Sequence, residues 1–132
     1  EELLDLPLMS DPVSLATLDV LTKVVPAALL AGDNLYSLAI CRMVNLSLEH
    51  GNTDASCGGY VALGAFIAGP HFGDYAAGFR FGRLAYDLVE QRGWQRFKAR
   101  TYMLFGNLVM PWTKHVRLRC RECKRRPHIR DL

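Results

Sequence analysis

Apolar residues recur with helical spacing in the first part of the chain. Leu18, Leu21 and Val25 fall on one helical face and follow a helix-start signal at residues 10–12, "SDP". This spacing predicts a first helix. Pro26 is expected to end or kink it, because proline lacks the amide donor and clashes with the preceding turn.

Turn residues then divide the middle of the chain into two further helices. The second follows "AGDN", where Asp33 or Asn34 is expected to cap it, and it ends at Gly51. The third opens at "NTDA", runs through "YVALGAFIA" and closes at Gly69 and Pro70.

Two more helices are predicted, over residues 73–93 and 94–110, the latter ending before Pro111. No segment alternates apolar and polar residues between hairpin turns, so no strand is predicted. The pattern therefore predicts an all-α protein in which short connections make neighbouring helices antiparallel.

The fourth predicted helix carries glycines in its interior. Gly78, Gly82 and Ala85 are spaced i, i+4 and i+7, and each glycine costs about 1 kcal/mol relative to alanine. Small residues on one face allow another helix to approach closely, which offsets that cost. A glycine-rich phosphate-binding loop is the alternative, but neither of its motifs is present.

The segment "GDYAAG" and the alanine that follows it resemble half of a tetratricopeptide repeat. Tyr75, Gly78 and Ala85 match the repeat's Gly-x-Tyr turn and its two small positions, and Leu63 with Gly64 resembles its Leu-Gly pair. The resemblance implies antiparallel helix pairs stacked as a short right-handed superhelix.

A second resemblance covers residues 1–117. The segments "LDLPLMSDP", "CRMVNLSLEHGNTDAS", "HFGDYAAGFRFG" and "WTKHVR" resemble the helical-repeat region of large bacterial signalling proteins. Those proteins join a serine/threonine kinase, a predicted ATPase, this region, a sensor domain and a histidine kinase. The resemblance implies a scaffold or regulatory segment with no catalytic residue of its own, binding other domains of the same polypeptide or a protein partner.

Composition and charge separate a body from a tail. Residues 114–132 carry eight Lys or Arg and two acids, and the rest carries eight bases and eleven acids, so the tail is +6 and the body −3. We expect a helical-repeat domain over residues 1–116 and a basic tail over 117–132 that is either disordered or non-native. Apolar runs are near half of the ~20 residues that a membrane span needs, and no basic segment precedes the first one. A cytoplasmic protein without a membrane segment is therefore predicted.

The tail offers an alternative chemistry. Cys120 and Cys123 form a CxxC that His115 and His128 flank, which is a candidate zinc-ligand set, although the spacings are too short for a zinc finger. The run "RLRCRECKRR" offers charges for phosphates but no stacking platform. The alternative function is thus a small nucleic-acid- or zinc-binding protein acting through this tail, whereas the main interpretation expects neither cofactor nor nucleic acid.

The second helix carries one polar stripe. Arg42, Asn45 and Glu49 are spaced i, i+3 and i+7 in an otherwise apolar segment. We expect neighbouring helices to cover the other faces and the stripe to bind a partner. No Ser, His or carboxylate constellation predicts catalysis, and an uncapped repeat is expected to self-associate.

Overall fold

A computed structural model describes residues 2–112, and this part of the chain is helical. It contains five α-helices, two π-helical segments and, at its end, a short 3₁₀ turn. The α-helices are α1 (Pro12–Ala31), α2 (Asp33–His50), α3 (Asp54–Ala62), α4 (Tyr75–Arg92) and α5 (Lys98–Leu104). The π segments are Leu63–Ala68, after α3, and Phe105–Val109, after α5; the 3₁₀ turn is Met110–Trp112. The all-α prediction is confirmed.

The first helix begins where the sequence predicts but ends later. The Asp11 side chain accepts from the amide of Ser14 at 2.9 Å, which caps α1. The helix then continues through Pro26 to Ala31, so the predicted end at the proline is wrong. Pro26 is exposed between buried Val25 and Ala28, and the packing of that inner face offsets the lost hydrogen bond.

A single residue, Gly32, separates α1 from α2. Its φ of 149° is a backbone conformation that glycine adopts readily and other residues rarely adopt. Helix α2 begins at the next residue. Asp33 already lies inside the helix, so the predicted cap by Asp33 or Asn34 is wrong. The predicted end at Gly51 is confirmed, with a φ of 99° and an amide that donates to the Ser47 carbonyl at 3.0 Å.

The third and fifth predicted helices each change from α to π geometry. The third runs as α3 from Asp54 to Ala62 and continues as a π segment to Ala68. The fifth is α-helical only from Lys98 to Leu104, because residues 94–97 form the turn before it. The fourth agrees closely with its prediction, beginning after the Asp74 cap and ending at Gly93.

The helices share two apolar cores. Leu18, Val25 and Ala28 of α1 pack with Ile40 and Met43 of α2 in the first. The second joins α3, α4 and the α5 region, and its buried members include Tyr60, Leu84, Ala85, Leu88 and Phe105. The helices thus pack as α1 on α2 and α3 on α4, with α2 also contacting α3.

The interior glycines place α4 against both π segments. A Cβ on Gly78 would lie 2.9 Å from the carbonyl oxygen of Gly64, in the first π segment. A Cβ on Gly82 would lie 2.8 Å from Cγ1 of Val109, in the second. Ala85 is fully buried. The small-residue stripe therefore serves close helix approach, as predicted.

Candidate functional site

The predicted stripe lies on the outer face of α2. Arg42, Asn45 and Glu49 are all exposed, because Ile40 and Met43 turn the opposite face into the first core. The structure therefore brings the three predicted residues together on one open surface.

This outer face of α2 is wider and more apolar than the sequence interpretation allowed. Leu35 is 49% exposed and Leu38 is 69% exposed, and both continue the register of Arg42 toward the start of the helix. Cys41 and Leu48 were expected to be covered by neighbouring helices, but both are exposed. That expectation is wrong because α1 and α3 cover α2 on one side only. The open surface is thus apolar at its start and polar at its end.

Polar groups on this face are available to a partner. Glu49 lies 3.8 Å from His50, an exposed pair of little energetic weight. Arg42 and Asn45 form no side-chain hydrogen bond or ion pair with any residue from 2 to 112. A partner can therefore bind them without first breaking an internal contact.

The outer face of α1 is also apolar. Val13, Val20 and Val24 are 72%, 58% and 39% exposed, and they lie opposite the buried Leu18 and Val25. This helix is also long and apolar enough to cross a membrane by length and composition, which is weak evidence taken alone. The spacing of apolar residues does not predict this exposed face, because spacing alone cannot show which sides of an apolar helix its neighbours cover.

Charged contacts hold one flank of α1 to the rest of the molecule. Arg96, in the turn before α5, hydrogen-bonds to Asp19 and lies 3.8 Å from Asp54 at the start of α3. Lys23 lies 3.2 Å from Asp19 one turn away. The Arg96 bond, followed by the Lys23 bond, lowers the pKa of the Asp19 carboxyl. These groups are exposed, so the network orients α1 more than it stabilises it.

The buried reactive groups are unsuited to nucleophilic chemistry. Burial raises the pKa of the Cys57 thiol to about 12 and that of the Tyr60 hydroxyl to about 12. A thiol that stays protonated is inert, because the thiolate is the nucleophile. The carboxylate of Asp87 accepts two contacts of 3.0 Å from Nε of Arg83, one turn earlier in α4. This carboxylate therefore belongs to a surface ion pair.

The candidate metal ligands belong to the tail that follows residue 112. His115, Cys120, Cys123 and His128 lie outside the described residues, as do the basic run and the boundary predicted after residue 116. Within residues 2–112, no group of three or more His, Cys, Asp or Glu side chains is arranged to hold a metal ion.

Comparisons with protein-family models, with curated proteins and with solved structures find no match to this chain. The resemblance to a signalling protein's repeat region therefore stays a hypothesis carried by the sequence segments alone.

Proposed function

We propose that the chain is a non-catalytic helical-repeat segment, cytoplasmic, that acts as a scaffold or regulatory element in a multidomain ATPase and sensor kinase. Its helix pairs would stack as part of a right-handed superhelix of the tetratricopeptide type. Its partners would be other domains of the same polypeptide or a separate protein.

The observation that carries this proposal is the double apolar face of α1. Leu18 and Val25 enter the first core, and Val13 and Val20 form a second apolar face on the opposite side. In a repeat stack, each helix pair buries one face inside and another on the adjacent pair. A neighbouring repeat, or a second copy of this chain, would cover the outer face of α1.

The open face of α2 suits a regulatory contact. It combines exposed leucines with unengaged polar groups, so a partner gains apolar burial and directional bonds at one surface. Arginine, the residue at position 42, is among the residue types enriched at such contacts, and its guanidinium forms several bonds at fixed geometry.

Membrane insertion of α1 is the competing use of its apolar length. Insertion would withdraw Leu18, Val25 and Ala28 from the first core and would break the contact between Asp19 and Arg96. It would also place Asp19 and Lys23 near the middle of the span, where ionised groups are costly. Packing on another helix requires none of these losses.

The partner surface is tested by combining Arg42→Ala with Glu49→Ala in the multidomain protein. We expect unchanged helical content and weaker interdomain binding or histidine-kinase output. Gln91→Ala with Asn107→Ala, two exposed polar positions outside α2, is the matched control. If histidine-kinase output changed equally with both double substitutions, or with neither, the result would count against the α2 face as a partner surface.

The multidomain context has its own test. The DNA downstream of the codon for Leu132 should continue as an open reading frame that encodes sensor and kinase modules. A stop codon at that point, with no such modules in the gene, would contradict the proposed context.

A further inference from the structure

Residues 3–9, here called the N-terminal strap, cross the turn between α2 and α3, where most of their hydrogen bonds are formed with Asn52. The amide of Asn52 donates to the Pro7 carbonyl at 2.8 Å, and the Met9 amide donates to the Asn52 carbonyl at 2.9 Å. The Asn52 side-chain Nδ2 donates to the Leu3 carbonyl at 2.8 Å. Leu8 and Asn52 thus form an isolated parallel β-bridge in an otherwise helical structure.

The turn is shaped to receive a backbone. Gly51 has a φ of 99°, and a Cβ there would lie 2.3 Å from the Pro7 carbonyl oxygen. Asn52 is fully buried, and its Oδ1 accepts from the hydroxyl of Tyr60 at 2.9 Å. The Tyr60 bond fixes the amide so that Nδ2 faces the strap. Gly51, Asn52 and Tyr60 therefore form a preorganised slot for a peptide backbone.

The strap is held by these hydrogen bonds and by apolar contacts, because Met9 belongs to the first core and Leu3 and Leu4 pack against the second. Leu3, Leu4 and Leu6 are only half-buried, Leu8 is 57% exposed, and Met9 alone is buried. The strap contributes one buried side chain and a few hydrogen bonds, so its release costs much less free energy than unfolding of the two cores. Local opening of the strap is therefore accessible while the helices stay folded.

The strap and the surface of α4 beside it carry charges of opposite sign. The strap and the residue before it carry Asp5 and Glu2. Arg92 donates to the Leu6 carbonyl at 3.4 Å, and Arg80 lines the groove beside Leu3 together with Phe81 and Leu84. The groove is thus apolar at its floor and basic at its edge, which suits an acidic, leucine-rich segment.

We propose that this slot binds an acidic, leucine-rich peptide segment of a partner protein, and that the strap occupies it in the free chain as an intramolecular ligand. The partner segment displaces the strap and reproduces its bridge to Asn52. The binding mode is addition of a short β-type segment, in which main-chain bonds give affinity and alternate side chains give specificity. The α2 outer face takes no part, so this inference stands independently of the function proposed above.

The test uses a fluorescent peptide with the sequence of residues 1–10 and the full chain carrying Leu3→Ser and Leu4→Ser. These substitutions weaken the resident strap, so the peptide should bind about tenfold more tightly than it binds the wild-type chain. A Met9→Pro peptide lacks both the amide that donates to Asn52 and the buried Met9 side chain, and should bind at least about fivefold more weakly. A Leu8→Ala peptide, changed at an exposed position, is the matched control and should bind like the original. Absent binding, or equal binding of the Met9→Pro peptide, would overturn the proposal.

Hydrogen exchange on the wild-type chain gives a second readout. The amides of Met9 and Asn52 should exchange at similar rates, and faster than the amide of buried Val61 in α3. If all three amides exchanged only through global unfolding, the strap would not open while the helices stay folded, and the proposal would be overturned. Loss of the helical circular dichroism signal in the Leu3→Ser, Leu4→Ser chain would likewise show that the strap is an inseparable part of the fold, and would overturn the proposal.

Discussion

A Cβ atom on Gly64 would lie 2.4 Å from the carbonyl oxygen of Gly78. Gly64 lies in the π segment after α3 and Gly78 lies in the second turn of α4, so this contact sets the spacing of the two elements. Because the obstructing atom belongs to the backbone, no rotation of a side chain can make room for a methyl group.

Gly64→Ala should therefore destabilise the protein, by about 2–3 kcal/mol, since it overpacks a close backbone contact. Gly58→Ala is the matched control. Gly58 lies in α3, and a Cβ there meets nothing within 4 Å, so that change should stabilise by about 0.5–1 kcal/mol through helix propensity. Urea unfolding followed by circular dichroism measures both. A Gly64→Ala variant that is as stable as the wild type, or more stable, would contradict the close approach.

Removal of the buried hydroxyl of Thr101 should stabilise the protein. Thr101 is fully buried in α5, and its Oγ1 has no hydrogen-bond partner within the described chain. Thr101→Val removes the unsatisfied oxygen and nearly keeps the side-chain shape, so it should stabilise by about 1 kcal/mol. Thr101→Ser, which keeps the hydroxyl, is the comparison and should not stabilise. Thermal and urea unfolding together would detect the difference, and a destabilised valine variant would mean that the hydroxyl has a partner.

Stability should fall at alkaline pH because of Cys57 and Tyr60. Burial raises both pKa values to about 12, whereas an unfolded thiol titrates near about 8.5 and an unfolded tyrosine near about 10. Below the unfolded values both groups are neutral in either state and their contribution is complete. As pH rises toward about 12, the unfolded chain releases protons that the folded chain keeps, so stability falls by about 1.4 kcal/mol per pH unit for each such group.

This pH dependence is checked by urea unfolding between about pH 7.5 and 10.5, within the titration range of these groups. Cys57→Ala should flatten the decline that begins near the thiol's unfolded pKa. Cys41→Ala, which removes an exposed thiol, should leave the slope unchanged. An identical slope in wild type and Cys57→Ala would contradict the burial of this thiol.

Helical periodicity predicted most of the fold because each helix buries a regular stripe. Leu18 and Val25 of α1 and the glycine stripe of α4 both follow such spacing, and both pack as expected. Local signals failed where tertiary contacts decided the outcome. Pro26 did not end α1, because buried neighbours on both sides hold the helix.

The sequence predicted the polar residues of the candidate site but not the exposed leucines beside them. Spacing alone placed Arg42, Asn45 and Glu49 on one face, but it could not show whether Leu38 on that face was covered. Burial depends on neighbouring elements, and α2 has fewer of them than its composition suggests. The strap was missed for the same reason, since its bridge joins residues more than forty positions apart, such as Leu8 and Asn52.

The most direct test of the account is sedimentation velocity of the full chain over a range of concentrations. The account predicts self-association that grows with concentration, because the outer face of α1 is apolar and exposed. It also predicts that Val20→Glu with Val24→Glu restores a monomer, whereas Gln91→Glu with Asn107→Glu, which adds the same charge elsewhere on the surface, does not. A wild-type chain that remains monomeric at every concentration, or association that both pairs affect equally, would contradict it.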